Sequence, residues 1–171
     1  MDLRLSPSGP DVGGIEQMPL RTAQDNSTLA VALTLTTDPV DVNAALRAEL
    51  AGPFDPSHRF SAECDIDFSN ASTNILATVQ LHLQVSVDGG AFTTVHTEEH
   101  NIGPNGPSNV RQVQPVSLHL TPQALALFDP TGEAETLAVR IAAETTAGET
   151  GTVIAESLSG QWLRFTEHSA P

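Results

Sequence analysis

The stretch from Ile75 to Val87 alternates apolar and polar residues with a period of two. Val79, Leu81, Leu83, Val85 and Val87 point one way, and Thr78, Gln80, His82, Gln84 and Ser86 the other. A helix would scatter these apolar side chains around its axis, whereas a strand places them on one face. The Asp88-Gly89-Gly90 that follows suits the positive φ of a tight hairpin turn. The sequence therefore predicts a half-buried strand that turns back on itself.

The same period recurs along most of the chain. Between His58 and Ser69 the alternating apolar residues are Phe60, Ala62, Cys64, Ile66 and Phe68. Further strands are predicted at 28–36, 92–99, 110–120, 137–145, 153–158 and 161–166. Many short strands separated by turns are typical of two packed sheets. We predict an all-β fold, an antiparallel β-sandwich or jelly roll of about eight strands.

One segment favours a helix instead, the stretch DPVDVNAALRAELAGP at 38–53. Asp38 can cap it, Pro39 fits the first turn, and Gly52-Pro53 would end it. Leu46 and Leu50 lie four residues apart, as on one helix face. We therefore predict one short helix here. A second helical turn is predicted between Thr121-Pro122 and Asp129-Pro130.

The first 27 residues have a different character. They contain Pro7, Pro10 and Pro19 and show no sustained period. We predict an extended N-terminal arm over residues 1–27 and one β-sandwich domain over residues 28–171, since 171 residues suit a single domain. An arm poor in apolar residues needs something to hold it, namely its own domain, a neighbouring subunit or a larger assembly.

The charge balance excludes one class of partner. The chain has 21 Asp and Glu against 7 Lys and Arg, a formal net charge of −14, and all seven cations are Arg. Binding of a nucleic-acid backbone needs clustered cations, so we expect no nucleic-acid partner. No apolar run approaches the ~18–20 residues that span a bilayer, and residues 1–10 lack the apolar core of a secretion signal. We expect neither a membrane partner nor secretion by a signal peptide.

The stretch HTEEH, His96 to His100, matches the H-x-x-E-H spacing of inverted zinc proteases. That motif works on a helix, which places residues i and i+4 on one face. Here the surrounding Thr93, Thr94, Val95 and Thr97 are β-branched and favour a strand. On a strand, His96, Glu98 and His100 would share one face.

The register of the hairpin decides whether His82 joins these three residues. A loop of three residues, Asp88 to Gly90, places His82 opposite His96, and the four side chains could then hold a zinc ion. A loop of two residues, Gly89-Gly90, places His96 opposite Leu83 on the apolar side. We prefer the three-residue loop, because the other register would bury the charged Glu98. Polar residues on a solvent-facing sheet remain the ordinary outcome, so no catalytic, cofactor or metal residue is assigned.

Three further features have both a structural and a functional interpretation. Glu63, Asp65 and Asp67 alternate along one strand face, as a solvated acidic stripe, a calcium contact or paired carboxylates of a glycosidase would. Trp162, the only tryptophan, is predicted to lie in the core or an interface rather than to stack on a sugar. Cys64, the only cysteine, is predicted to be a small buried apolar residue. No G-x-S-x-G or EF-hand pattern occurs, and we expect a protein that is not an enzyme.

Two stretches carry a resemblance to a known family. The ending ESLSGQWLRF, Glu156 to Phe165, resembles the last strand of C1q/TNF-type jelly rolls, and LQVSVDGGAFTTV, Leu83 to Val95, is similar to their central hairpin. Such domains are characteristically trimeric and recur in bacteriophage virions as head decorations, fibre knobs and spike tips. The resemblance implies a jelly roll, a trimer and a place in a virion.

These observations lead to three hypotheses about function. The first is a non-enzymatic structural protein of a phage-like virion, a capsid decoration, cement or accessory protein. It would be assembled in the host cytoplasm and would bind copies of itself, the major capsid protein or another virion protein through its arm and sandwich. The second is a carbohydrate- or receptor-binding module of a fibre or spike tip, using loops Asn101–Asn109 or Asp129–Glu135. The third is a small metal-dependent enzyme that uses His82, His96, Glu98 and His100; the first two hypotheses need no cofactor.

Overall fold

A computed structural model describes residues 18–27, 32–43, 45–156 and 161–170. Within them lie eleven strands: β1 (Pro19–Asp25), β2 (Leu33–Thr34), β3 (Val40–Asp41), β4 (Ala48–Ala51), β5 (Arg59–Asn70), β6 (Ala77–Val87), β7 (Thr93–Ile102), β8 (Val113–Ala124), β9 (Thr136–Ala147), β10 (Val153–Ala155) and β11 (Trp162–His168). In this part of the chain only the 3-10 turn Leu125–Leu127 is helical, and it lies within the second predicted helical stretch. None of the described helical residues forms a segment long and apolar enough to cross a membrane.

The strands form two antiparallel sheets. Sheet A has the order β1-β11-β5-β10-β2, and β8 pairs with the other edge of β5. Sheet B has the order β3-β9-β6-β7, with β4 also paired to β9. At the centre of sheet A, Cys64 of β5 lies opposite Leu118 of β8 and Leu163 of β11. The predicted all-β sandwich of jelly-roll type is confirmed.

The apolar residues of the alternating stretches in the sequence are the ones that point into the core. The inward residues of β5 and β6 are buried except for the partly buried Val87 beside the turn: Phe60, Ala62, Cys64, Ile66, Phe68, Ala77, Val79, Leu81, Leu83 and Val85. A cluster of phenylalanines lies at the end of the core where β5 begins. The Phe60 ring centroid is 5.8 Å from that of Phe165 and 5.9 Å from that of Phe128, and Phe54 packs edge-on at 5.7 Å. This cluster joins β5 and β11 of sheet A to the 3-10 turn.

The predicted helix over residues 38–53 is wrong. Val40–Asp41 and Ala48–Ala51 are short strands that pair with β9. Between them, Asn43 Oδ1 accepts the main-chain N–H of Ala45 at 3.0 Å, a local bond that competes with helical hydrogen bonding. A spacing of four residues fits one face of a strand as well as one face of a helix. Leu50 lies in β4 and Leu46 just before it, and both are buried without a helix.

Part of the predicted N-terminal arm is a strand of the sandwich. β1 pairs with β11, with Thr22 opposite Thr166 and Ala23 opposite Phe165. Among the described residues, the sandwich therefore includes Pro19–Asp25, which the predicted boundary at residue 28 left in the arm. The prediction for residues 1–17 lies outside the described residues, as does that for residues 28–31 of the strand predicted at 28–36; Leu33–Thr34 of that strand is β2.

A buried carboxylate fixes β1 to the rest of the fold. Glu167 of β11 is almost fully buried and accepts hydrogen bonds from the Arg21 guanidinium and from His58 Nδ1, the latter at 2.8 Å. Arg21 also donates to the carbonyl of Ala51. Burial acts to raise the pKa of Glu167, but the hydrogen bonds from Arg21 and His58 outweigh it and hold that pKa below its ordinary 4.5.

This lowered pKa predicts a specific loss of stability in acid. Because the pKa of Glu167 is lower in the folded than in the unfolded chain, its carboxylate stabilises the fold above about pH 4.5, and that contribution disappears as the pH falls through the folded pKa. Urea unfolding at a series of pH values should show a steeper loss in the wild type than in Glu167→Gln. Glu49→Gln, at an exposed position of β4, is the control and should keep the wild-type slope. Equal slopes for all three proteins would contradict the prediction.

Candidate functional site

The β6–β7 hairpin combines the two registers that the sequence leaves open. Next to the turn, Val85 lies opposite Thr93 and Gln84 opposite Thr94, as a three-residue loop requires. A β-bulge then adds one residue to β7, so that Leu83 lies opposite His96 and His82 opposite Thr97. The register of the preferred three-residue loop is therefore correct next to the turn, but it is wrong at HTEEH.

Because of the bulge, His82 and the other three residues of the predicted metal cluster lie on opposite faces of sheet B. His96, Glu98 and His100 share the inner face with Leu83, while His82 lies on the outer face. The His82 ring contacts Thr97 Oγ1 at 3.0 Å and Glu144 Oε1 at 3.1 Å. Among the described residues, no three His, Cys, Asp or Glu side chains are placed to hold a metal ion. The predicted approach of His82 to His96 is wrong.

Glu98 instead links the two sheets along the side of the sandwich where β7 faces β8. Its Oε1 lies 2.9 Å from His96 Nε2 and accepts the main-chain N–H of His119 in β8 at 3.1 Å. Its Oε2 lies 3.5 Å from His100 Nε2. These partners compensate the partial burial of the Glu98 carboxylate. The residues of HTEEH thus help to close one side of the sandwich.

The acidic stripe lies on the outer face of β5, as predicted. Arg164 Nη2 donates to Glu63 Oε2 at 2.5 Å, while Asp65 accepts hydrogen bonds from Trp162 Nε1 at 2.9 Å and from Ser117 Oγ at 2.5 Å. Burial, followed by the nearby Asp65 charge, raises the pKa of Asp67. Trp162 is half-buried on this face rather than in the core, and the Arg164 guanidinium carbon lies 5.3 Å from the centroid of its ring.

Beside this network, β1, β11 and β5 surround a depression of about 300 Å³ on the outer face of sheet A, lined mainly by residues with polar side chains. Its lining residues are Pro19, Thr22, Gln24, Ser61, Glu63, Arg164, Thr166 and His168. Ser61 and Thr166 form its floor and are only 6% and 7% exposed, although they point outward. Sequence patterns did not indicate this depression, because β1 was not predicted to be a strand. The one available signal was the polar outward row of β11.

The only cysteine is inaccessible, as predicted. Cys64 lies on the inner face of β5, and burial raises the pKa of its thiol to about 12. Since the thiolate is the reactive species, we expect no reaction with a colorimetric thiol reagent at neutral pH in the native protein. One equivalent should react after unfolding in guanidinium. Rapid labelling of the native protein would contradict this prediction.

The polar groups of the two predicted ligand-binding loops are largely used to hold the loops themselves. In the 129–135 loop, the buried Asp129 carboxylate accepts the main-chain N–H groups of Thr131 and Ala134 at 3.0 and 2.8 Å. In the 101–109 segment, the first two residues belong to β7, and Asn105 Oδ1 accepts the N–H of Gln112 at 2.9 Å. The Asp129 and Asn105 side chains are therefore occupied by main-chain N–H groups.

Four exposed apolar residues lie at the end of the sandwich where β5 ends and β8 begins. We call Ile75, Leu76, Val110 and Val113 the apolar end; their exposed fractions range from 37% to 61%. Val113 lies opposite Ser69 near the end of β5. The side chain of Asn70, the last residue of β5, donates to the carbonyl of Ile75 at 2.8 Å. These four residues therefore lie at one end of the fold, whereas the other exposed large apolar residues of the described chain, Met18, Leu20 and Leu127, lie at the start of β1 and in the 3-10 turn.

An ion pair between a buried carboxylate and an exposed guanidinium holds the segment that leads into β8. Glu156, which follows β10, has a fully buried side chain and is paired with Arg111, whose Nε lies 2.8 Å from Glu156 Oε1. Ser69 donates a hydrogen bond to the same carboxylate oxygen. Because Arg111 lies between Val110 and Val113, this pair positions part of the apolar end.

No family model and no curated protein matches the chain. Among solved structures, the chain is similar to Eiger TNF from S. frugiperda, with 12% identity, a TM-score of 0.48, and coverage of 90% of this chain and 95% of that one. It is also similar to chains of infectious bursal disease virus. The Gx strain has 11% identity and a TM-score of 0.33, and the Gt strain has 14% identity and a TM-score of 0.35.

The two viral matches cover 98% and 95% of this chain but only 43% and 36% of the viral chains. A TNF and two viral chains are therefore among the structural neighbours. At these TM-scores and identities, the fold is assigned from the strand order and register of this chain itself. The strand order and register show that this chain is an antiparallel sandwich of jelly-roll type.

Proposed function

We propose that this chain is a non-enzymatic structural protein of a phage-like virion, a capsid decoration, cement or accessory protein that associates with copies of itself. The observation that carries the proposal is the apolar end. Soluble monomers expose apolar residues singly, whereas apolar residues grouped in one region mark sites of protein association. Here Ile75, Leu76, Val110 and Val113 are grouped at one end of the fold.

The charge of the chain fits this role. A formal charge of −14 keeps the remaining surface soluble and suits contact with basic patches of a shell. Association through an uncharged region avoids bringing these acidic surfaces together. The resemblance of Leu83–Val95 and Glu156–Phe165 to C1q/TNF-type jelly rolls, which recur in phage virions, favours a virion as the assembly and a trimer as the oligomer. Major capsid and other virion proteins are the further partners that this proposal implies.

Sedimentation velocity over a range of concentrations tests the proposal. The wild type should sediment as an oligomer, with a mass that is a multiple of the chain mass. The double variant Leu76→Ser/Val110→Ser should shift toward the monomer, because it removes two apolar side chains from the apolar end. Leu127→Ser is the control, since Leu127 is also an exposed apolar residue but lies in the 3-10 turn. A wild type that is monomeric at its highest soluble concentration would overturn the proposal.

A second function, a carbohydrate- or receptor-binding module, is favoured by a different observation. The depression on sheet A is polar, outward-facing and adjacent to the only tryptophan of the chain. Such a module would act at a fibre or spike tip. The two functions use different surfaces, so they can be tested separately.

A further inference from the structure

We propose that the depression between β1, β11 and β5 is a binding site for a neutral saccharide of the size of one or two sugar rings. This inference deepens the second function proposed above and does not depend on the first. It places the ligand on the outer face of sheet A, away from the loops Asn101–Asn109 and Asp129–Glu135.

The polarity of the depression matches a polyol. Every lining residue except Pro19 has a side chain that forms hydrogen bonds. Each sugar hydroxyl is both a donor and an acceptor, and the lining offers both kinds of partner. Gln24 and the hydroxyls of Thr22 and Thr166 can do either, Glu63 accepts, and Arg164 donates.

The floor of the depression is preformed. Ser61 Oγ lies 2.7 Å from His168 Nε2, and Thr22 Oγ1 lies 3.3 Å from Thr166 Oγ1. These contacts join neighbouring strands of sheet A and fix the outward hydroxyls of β5, β11 and β1 relative to one another. A polar site that is already ordered requires less ordering on binding than a flexible loop.

The charges favour a neutral ligand over an ion. Glu63 and Arg164 are the two charged residues of opposite sign in the lining, and they are paired with each other at 2.5 Å. An anion would face the Glu63 carboxylate in a chain of formal charge −14. A cation would have to compete with Arg164 for that carboxylate. A polyol can use both groups without breaking the ion pair.

Arg164 connects the depression to the tryptophan. It lines the depression and also lies over the ring of Trp162, whose indole N–H is bonded to Asp65. A ligand that contacts Arg164 therefore changes the surroundings of the indole. Because the chain has one Trp and no Tyr, its intrinsic fluorescence reports on this face alone.

The test is a fluorescence titration of the full chain with D-glucose, D-galactose, D-mannose, N-acetyl-D-glucosamine and their disaccharides. At least one should give a saturable change in the emission of Trp162, with a dissociation constant that an orthogonal calorimetric titration reproduces. Thr22→Val and Gln24→Leu each remove polar groups from the rim of the depression with little change in size. Each should weaken binding about tenfold or more, the effect of losing a hydrogen-bonding group worth ~1.4 kcal/mol.

Gln80→Leu is the matched control. Gln80 lies on the outer face of sheet B, so its replacement should leave saccharide affinity unchanged. No saturable change with any of the saccharides would overturn the inference, as would equal affinities for wild type, Thr22→Val and Gln24→Leu. Either failure is independent of the sedimentation result, which tests the assembly function.

Discussion

Replacing Phe165 with Ala is expected to lower the free energy of unfolding by about 3–5 kcal/mol, the range for truncation of a buried phenylalanine. Phe165 is fully buried in β11, and its ring centroid lies 5.3 Å from that of Phe128 and 5.8 Å from that of Phe60. The variant loses the burial of one ring and the contacts of two others. Because these rings connect β11 and β5 to the 3-10 turn, the cavity cannot close without moving a strand. Urea unfolding at neutral pH measures the change.

Phe92→Ala is the matched aromatic control. Phe92 lies outside the core, with the Arg140 guanidinium carbon 4.2 Å and the Arg47 guanidinium carbon 5.2 Å from its ring centroid. Cation–π contacts at partly exposed sites contribute about 0.5–1 kcal/mol each, so the loss should be smaller than for Phe165→Ala. Equal losses for the two variants would contradict the assignment of the phenylalanine cluster as a centre of the core.

Replacing Arg111 with Met is expected to destabilise the fold by about 3–5 kcal/mol, because it leaves the buried Glu156 carboxylate without its cation. The Arg111 side chain is 58% exposed, whereas that of Glu156 is 0% exposed. The loss therefore arises from the uncompensated buried charge rather than from the packing of Arg111. Urea unfolding of the variant measures this change.

A second substitution separates charge from packing. Glu156→Gln in the Arg111→Met background should recover part of the loss, since the buried group is then neutral. Arg164→Met is the control, because its partner Glu63 is 28% exposed and a pair open to water contributes about 0–1 kcal/mol. A small loss of stability in Arg111→Met, or no recovery in the double variant, would contradict this role for the pair.

Arg111→Met should also weaken self-association, since Val110 and Val113 of the apolar end flank Arg111.

The strands that the sequence predicts best are those whose two faces differ most. β5 and β6 have buried inward residues and polar outward ones, and strict alternation follows directly from that difference. Where a segment offered only the spacing between two apolar residues, its secondary structure could not be predicted uniquely. Leu46 and Leu50 fit a helix and a strand equally, and pairing of Ala48–Ala51 with β9, far away in the chain, decided between them.

The positions of the candidate site residues depended on a β-bulge and on a strand pairing that the sequence does not reveal. The single inserted residue of β7, Val95, is β-branched like Thr93 and Thr94 before it, so no sequence signal marks it. Yet it determines that His82 and His96 lie on opposite faces. Similarly, β1 pairs with the far end of the chain, and its own residues show no alternation that would reveal the depression on sheet A. Both features come from long-range pairing rather than from local pattern.

The pairing of β1 with β11 has a consequence for how the chain can be displayed. The main-chain N–H of Ser169 donates to the carbonyl of Met18 at 2.8 Å, so the chain enters and leaves sheet A at neighbouring points. His168 lies opposite Arg59 at the start of β5, while the apolar end lies where β5 finishes. Cargo fused at Met18 or at Ser169 would thus attach at the end of the sandwich opposite the apolar end. In an assembly built through the apolar ends, each copy would present both of its attachment points outward.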